Sequence, residues 1–145
     1  EVGYNYRLNN IQAAMGVAQM ERIEEFVQIK RENAGIYKRL LTGISGVGFP
    51  EEAEWAKNNY WLFTIRVQKE HKAPLIEYLL SKNIQVKPIW KLINSLPMYS
   101  GFQSYKIDKV ADAYERCINL PSSVNLRQSE IEYIVNNIVA YFKRL

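Results

Sequence analysis

Residues 60–67 read YWLFTIRV, an alternation with the two-residue period of a β-strand. Successive side chains on a strand point to opposite sides of a sheet, so the pattern predicts one buried face and one outer face. The predicted buried face holds Trp61, Phe63, Ile65 and Val67, and the other holds Tyr60, Leu62, Thr64 and Arg66. Such a strand needs neighbouring strands and a covering layer.

The residues that follow predict a helix and a second strand. Apolar residues at helical spacing indicate a helix over about residues 74–80, with Pro74 in its first turn because that position needs no N–H partner. Asn83 is a suitable cap after the helix. A short strand at residues 84–87 is then ended by Pro88, and an irregular stretch rich in aromatic residues leads to Gly101.

Two more helices are predicted towards the end of the chain. One covers about residues 108–117 and precedes the segment 118–123, and the last covers about residues 128–143. The apolar side of the last helix faces inward, with Lys143 and Arg144 at its C-terminal end, where positive charge is favourable. Its inward residues are Ile131, Ile134, Val135, Ile138, Val139 and Phe142.

Upstream of the first strand, apolar residues recur at helical intervals from Asn9 to about Leu41. This pattern predicts one long kinked helix or two helices in tandem, capped by Asn9 or Asn10 and ended at Gly43. The whole chain then reads as a small α/β layer of the α+β kind, a few-stranded sheet packed with helices and carrying a long N-terminal helix. So small a sheet with so long a helix suggests a unit that docks on something larger.

Bulk composition narrows the function classes. The 145 residues suit one domain, and the chain opens with Glu1, which suggests an internal piece of a longer polypeptide. One cysteine, Cys117, and one histidine, His71, leave no internal disulfide and no metal-ligand set, which favours a reducing cytoplasm. No apolar run is long enough for a membrane span. The net charge of +4 is scattered, so no nucleic-acid stripe is predicted. We expect His71 to be exposed and Cys117 to be a buried apolar residue.

Five segments in order carry a family resemblance. The opening GYNYRL at residues 3–8 continues into NNIQAA and QMER, and the later segments are KRENA at residues 30–34 with Tyr37, KPIW at residues 87–90, LPMY at residues 96–99 and NLPSS at residues 119–123. Together they resemble the part of the DegT/DnrJ/EryC1/StrS aminotransferases that follows the catalytic domain.

The resemblance implies a fold and a domain assignment. It implies that residues 1–145 form the small C-terminal domain of a pyridoxal 5'-phosphate (PLP) enzyme with the aspartate-aminotransferase architecture, fold type I. The large domain with the Schiff-base lysine, the ring-stacking residue and the acid at the pyridine nitrogen would then lie outside this chain. We therefore expect no catalytic residue here, and no transamination by the isolated segment.

The resemblance also assigns cofactor contacts. It places Asn5 against the PLP phosphate of a neighbouring subunit, where a carboxamide NH₂ donates without adding charge. Arg7 is a second candidate, because its planar donors match phosphate oxygens. The alternatives are a turn or capping role for Asn5 and a surface ion pair for Arg7.

Substrate contacts are implied for the loop after the second strand. Lys87, Trp90 and Tyr99 resemble the border of a nucleotide-sugar site, since aromatic rings stack on bases or sugars and an ammonium balances a pyrophosphate. Core packing is the alternative for both aromatic residues. Relatives usually carry histidine where this chain has Asn94 and often arginine at Lys87, which weakens the assignment of individual contacts.

The activity that the resemblance implies is transfer of an amino group from glutamate, through PLP, to a nucleotide-linked keto-6-deoxysugar. The loop of residues 90–99 most resembles the branch acting on UDP-linked 4-keto sugars for surface polysaccharides or glycans, and the family implies a homodimer that shares its active sites. A different class is a stand-alone α/β interaction module whose long helix binds a partner. Composition does not separate the two.

Overall fold

A computed structural model describes residues 7–144, in which a three-stranded antiparallel sheet packs with helices. The strands are β1 (Phe63–Arg66), β2 (Lys87–Pro88) and β3 (Cys117–Leu120). β3 lies between the other two, with Phe63 paired to Leu120 on one side and Lys87 paired to Asn119 on the other. The expected few-stranded sheet packed with helices is confirmed.

Five α-helices and two 3₁₀ turns complete the described part of the chain. The helices are α1 (Asn10–Met20), α2 (Ile23–Leu41), α3 (Lys69–Ser81), α4 (Asp108–Arg116) and α5 (Gln128–Phe142). The 3₁₀ turns are Ile93–Ser95 and Pro97–Tyr99. None of the helices in residues 7–144 is both long and apolar enough to cross a membrane.

The core lies where α2, α3 and α5 meet one face of the sheet. That face presents Phe63 and Ile65 from β1 with Ile118 and Leu120 from β3, all of them buried. Four of the six predicted inward residues of the last helix are buried, namely Ile131, Ile134, Val135 and Ile138, and Val139 and Phe142 pack partly buried against them. The helical period alone therefore identified this contact face.

The central strand β3 was missed by the sequence pattern. Its four residues are all buried, so they lack the alternation that marks a strand with one exposed face. Cys117 is buried as expected, and burial raises the pKa of its thiol. Tertiary pairing from both sides, rather than local pattern, makes this segment a strand.

The second strand is shorter and later than predicted. Only Lys87–Pro88 pair with β3, whereas Ile84 and Val86 are buried without belonging to the sheet. Pro88 lies within the strand instead of ending it. A proline is tolerated there because β2 is an edge strand, where a missing N–H breaks no inner ladder.

The helix α3 begins five residues before the predicted start, so Pro74 is its sixth residue instead of a first-turn residue. The first turn of α3 is charged, so the apolar pattern did not predict it. Contacts to α4 stabilise this turn: Lys69 pairs with Glu115, and Lys72 donates to the carbonyl of Tyr114. The expected exposure of His71 is wrong, since its ring is half-buried and meets Phe142 edge-on at 5.6 Å.

The N-terminal helical region consists of two helices in tandem. Asn9 caps α1, because its side chain accepts from the Gln12 backbone N–H and the Gln12 side chain accepts from the Asn9 backbone N–H. Gly43 follows α2 with a φ of 83°, and Asn83 follows α3 with a φ of 59°, both as predicted for residues that end a helix. α1 has no buried residue.

Candidate functional site

An open groove of about 500 Å³ lies along β3, on the side of the sheet that faces away from the core. Its walls include Trp61, Trp90, Pro121 and Ser122, and its floor includes Lys87 and Asn119. A volume of this size is typical of small-ligand sites, which combine apolar walls with a few placed polar groups.

The polar floor follows from the register of the sheet. Asn119 pairs with Lys87 on one side and with Thr64 on the other, so these three side chains lie in one row on the same face. The Thr64 hydroxyl donates to Asn119 Oδ1 at 2.7 Å. This bond directs the carbonyl oxygen of the buried Asn119 towards Thr64, and the NH₂ group of the same amide is a hydrogen-bond donor.

Two tryptophans form the aromatic wall. The rings of Trp61 and Trp90 stack with their centroids 5.5 Å apart and an interplanar angle of 28°. Each residue is nevertheless 65% exposed. Two large apolar rings that contact each other and still face solvent make an apolar surface available to a ligand.

The exposure of Trp61 corrects the predicted strand face. Tyr60 adopts a φ of 47°, which is uncommon for a residue with a side chain. This left-handed residue breaks the alternation before β1 begins, so Tyr60 is buried and Trp61 is exposed, the reverse of the pattern from residue 63 onwards. The remaining predicted inward residues, Phe63, Ile65 and Val67, are buried.

Hydrogen bonds fix the backbone of Trp61 at both ends. Its N–H donates to Asn59 Oδ1 at 3.0 Å, and its carbonyl oxygen accepts from Lys30 Nζ at 3.1 Å and from the Ser122 hydroxyl at 3.0 Å. Lys30 also donates to the carbonyl of Ser122 at 2.5 Å. Partial burial lowers the pKa of Lys30, and its bonds tie the two groove-lining loops to α2.

α2 holds three successive carbonyl groups of the loop after β3. Tyr37 donates to Pro121 at 3.0 Å, Lys30 to Ser122, and Asn33 to Ser123 at 3.3 Å. The three donors lie on one face of α2 because they are spaced three and four residues apart. The helix therefore fixes the loop of residues 121–123, which contributes Pro121 and Ser122 to the groove wall.

The model of the DegT/DnrJ/EryC1/StrS aminotransferase family matches residues 1–139. The chain belongs to this family.

Similar members include the GDP-perosamine synthase of Escherichia coli O157:H7, 34% identical over 143 residues that are 97% of this chain and 38% of the relative. The GDP-perosamine synthase of Vibrio cholerae is also 34% identical, over 97% of this chain and 39% of its own length. Helicobacter pylori PseC, an aminotransferase involved in pseudoaminic acid biosynthesis, matches in structure with a TM-score of 0.88 and 23% identity, over 100% of this chain and 40% of PseC. The chain thus spans about two-fifths of the relatives it matches and has the fold of that part.

The residues predicted from the family resemblance fall in three places. Lys87 and Trp90 line the groove. Tyr99 lies in the second 3₁₀ turn, where its ring meets that of Phe102 at 6.1 Å, and it does not line the groove. Arg7 is exposed and lines a separate shallow depression formed by residues 7–11. Asn5 lies outside the described residues.

Sequence reasoning missed Trp61, Asn119 and Lys30 as parts of the site. Asn119 carried a usable signal, because it is a polar residue between the apolar Ile118 and Leu120 and it opens the NLPSS segment that resembles the family. Trp61 carried none, because a perfect alternation assigned it to the core.

The DegT/DnrJ/EryC1/StrS chain supplies binding groups at this groove, and the Ser122 hydroxyl in its wall is engaged with the Trp61 carbonyl. A flat ring can stack on the tryptophans, while the Lys87 ammonium and the Asn119 amide donate to phosphate or hydroxyl oxygens. Within residues 7–144 no cluster of three His, Cys, Asp or Glu side chains is placed to hold a metal ion. The arrangement is suited to positioning a substrate.

Proposed function

We propose that this chain is the small C-terminal domain of a PLP-dependent aminotransferase that moves an amino group from glutamate to the keto group of a nucleotide-linked 6-deoxysugar. The observation that carries the proposal is the groove in which two indoles, an ammonium and an oriented amide converge, in a chain that belongs to a family of aminotransferases. A sugar nucleotide offers the matching groups, namely a flat base, charged phosphates and sugar hydroxyls.

Two nucleotides are candidates. The loop of residues 90–99 favours a UDP-linked sugar, whereas the two relatives at 34% identity are named GDP-perosamine synthases and favour a GDP-linked sugar. A UDP-sugar transaminase of Helicobacter pylori is 24% identical, which gives UDP the weaker support. We therefore propose a GDP-linked sugar as the first substrate to test and a UDP-linked sugar as the alternative.

PLP is the cofactor that the family implies, and it supplies the carrier that takes the amino group from the donor and gives it to the acceptor. The described residue that fits its phosphate is Arg7, an exposed guanidinium just before the capped start of α1. Asn5 is the second proposed contact. The lysine that would hold the cofactor lies, on this proposal, in the large domain outside this chain.

The surface of α1 supports docking on a larger body. None of its eleven residues is charged, yet none is buried, and Ile11, Met15 and Met20 are each at least 66% exposed. Ile11 and Met15 lie on one side of the helix and Met20 lies on the opposite side. Exposed apolar side chains on two opposite sides of a helix favour contacts with two partners, so we propose that the large domain and a second subunit cover α1 in a homodimer.

A stand-alone interaction module would also use such a helix. Membership of an aminotransferase family favours the enzyme, because the module hypothesis gives no reason for the polar floor of the groove. The two hypotheses differ in the cofactor content of the parent protein.

The test uses the full-length parent protein, purified with its cofactor and supplied with glutamate and either a GDP-linked or a UDP-linked 4-keto-6-deoxysugar. We expect an amino sugar nucleotide and 2-oxoglutarate as products, and a lower retained PLP content after Asn5→Ala but not after Asn10→Ala. Absence of bound PLP and of amino transfer with both sugars would refute the proposed function and leave the interaction module. The segment of residues 1–145 alone is expected to be inactive.

A further inference from the structure

We propose that the stacked pair of Trp61 and Trp90 binds the nucleobase of the sugar nucleotide, with Trp61 as a binding residue that the family resemblance did not identify. The inference rests on the proposed function for the identity of the ligand. It adds which part of the ligand the groove recognises and which side chain recognises it.

The first support is the orientation of Trp61. The strained φ of Tyr60 rotates the next residue out of the strand pattern, so an indole that the alternation would bury is placed at the groove instead. Unusual backbone conformations of this kind persist only where the surroundings hold them, and they cluster at functional sites.

The surroundings of Tyr60 do hold it. Its N–H donates to Asn58 Oδ1 at 2.8 Å, its hydroxyl donates to Glu52 Oε2 at 2.9 Å, and Lys38 Nζ donates to the same hydroxyl at 2.7 Å. The ring is buried beside Phe63. The hydroxyl and the backbone N–H of Tyr60 are therefore both engaged in hydrogen bonds that stabilise the conformation that exposes Trp61.

The second support is that hydrogen bonds hold the backbone of Trp61 and that a second ring contacts its indole. Hydrogen bonds from Lys30 and Ser122 fix its carbonyl, and Trp90 covers one side of its ring. A preorganised aromatic surface loses little conformational entropy on binding a ring, which is the condition for effective stacking.

The spacing of the pair indicates how the base binds. A third ring between two others needs a centroid separation of about 7 Å, twice the usual stacking contact. Since the indoles are 5.5 Å apart, the base extends the stack on an open indole face in the groove. The Lys87 ammonium and the Asn119 amide on the groove floor then face the phosphate and sugar part of the ligand.

Stacking on an indole is tolerant of base identity because every base has a π face. The pair therefore contributes affinity for both GDP and UDP, and the distinction between them comes from other contacts. This property separates the role of Trp61 from the choice of nucleotide.

The experiment measures binding of GDP, UDP and inorganic pyrophosphate to the full-length parent protein by calorimetry. For Trp61→Leu we expect the Kd of whichever nucleotide the wild type binds to rise by about tenfold, the size of one lost base–aromatic stack. The Kd of pyrophosphate, which has no base, should change by less than about twofold. Trp61→Phe retains a ring and should recover most of the affinity.

Trp55→Leu is the matched control, because Trp55 is 90% exposed and lies outside the groove. It should leave every Kd unchanged. Equal nucleotide affinity in wild type and Trp61→Leu, or an equal loss for nucleotide and pyrophosphate, would overturn the inference, as would a wild type that binds neither nucleotide. Melting temperature and retained PLP are measured for each variant. If Trp61→Leu does not fold, Trp61→Gln replaces it, because a polar side chain without a ring suits a position that is 65% exposed, and the same rise in Kd of about tenfold is expected.

The outcome is separable from that of the proposed function. If the parent protein transfers an amino group to a sugar nucleotide and the Trp61→Leu variant binds nucleotide with normal affinity, the proposed function is retained and the stacking role is rejected. Trp61-dependent nucleotide binding without any amino transfer would retain the stacking role and reject the reaction.

Discussion

Tyr37, in the C-terminal half of α2, donates a hydrogen bond from its hydroxyl to the carbonyl oxygen of Pro121, 84 positions along the chain, at 3.0 Å. Its ring also stacks on Phe63 of β1 with centroids 4.7 Å apart. Two of the family-like segments recognised in the sequence, the one ending at Tyr37 and the NLPSS segment, thus meet in the structure. Burial raises the pKa of the Tyr37 hydroxyl, which remains a donor at physiological pH.

Removal of that hydroxyl should destabilise the fold. We expect Tyr37→Phe to lower the free energy of unfolding by about 1 kcal/mol, because the Pro121 carbonyl loses its partner while the ring packing stays. Urea denaturation measures the change. Tyr133→Phe is the control, since the Tyr133 hydroxyl also donates to a carbonyl but the residue is 51% exposed. An equal effect of the two variants would contradict the assigned role of Tyr37.

The ammonium of Lys87 should contribute to substrate binding in the parent enzyme. We expect Lys87→Gln to raise the KM for the sugar nucleotide by about tenfold or more, as for loss of one charge-assisted hydrogen bond. Steady-state kinetics measure this value, and the KM for glutamate should stay unchanged. Lys91→Gln removes the same charge from an exposed residue outside the groove lining and should have a smaller effect. Equal effects would mean that general charge, rather than the groove floor, attracts the substrate.

The cap of α1 should decide whether that helix forms. Asn9→Ala removes the acceptor for the Gln12 N–H, and we expect a loss of about 1 kcal/mol in the helix–coil equilibrium of α1. Amide hydrogen exchange over residues 10–20 is the measurement. Asn10→Ala changes the neighbouring asparagine, which lies inside the helix, and should not accelerate exchange. Faster exchange in both variants would show that the effect is not capping.

Acid should weaken the cluster that holds Tyr60. Donation by the Asn58 backbone N–H, then by the Tyr60 hydroxyl, and the Arg31 guanidinium at 3.3 Å lower the pKa of Glu52 below its ordinary value of 4.5. A lowered folded-state pKa means that the carboxylate stabilises the fold above the ordinary value, and that this contribution is lost as the pH falls through the lower folded-state pKa.

Comparison of stability curves tests this assignment. Below about pH 4.5 the wild type should lose stability more steeply than Glu52→Gln, measured by thermal unfolding across a pH series. Glu54→Gln removes the charge of an exposed neighbour and should keep the wild-type slope. Parallel curves for wild type and Glu52→Gln would rule out this carboxylate as the acid-sensitive group.

Sequence reasoning predicted most of the helices and two of the groove residues, Lys87 and Trp90. The inward face of α5, the cap at Asn9 and the presence of Lys87 and Trp90 at one site all followed from period, capping chemistry or family resemblance. These features depend on residues close together in the chain. Tyr99 did not join the groove, because its 3₁₀ turn directs it to Phe102.

The amino-acid sequence by itself determined the apolar faces that form the core and the family to which the chain belongs. The apolar faces follow from the spacing of apolar residues, and the family follows from the identity of residues in short segments. Tertiary structure alone decided that residues 117–120 are the central strand and that Trp61 faces the groove. The physical reason is that a fully buried strand has no alternation, and that the left-handed Tyr60 is held by side chains from distant parts of the chain, such as Lys38 on α2. Interactions between residues so far apart in the chain produce no pattern in the local sequence.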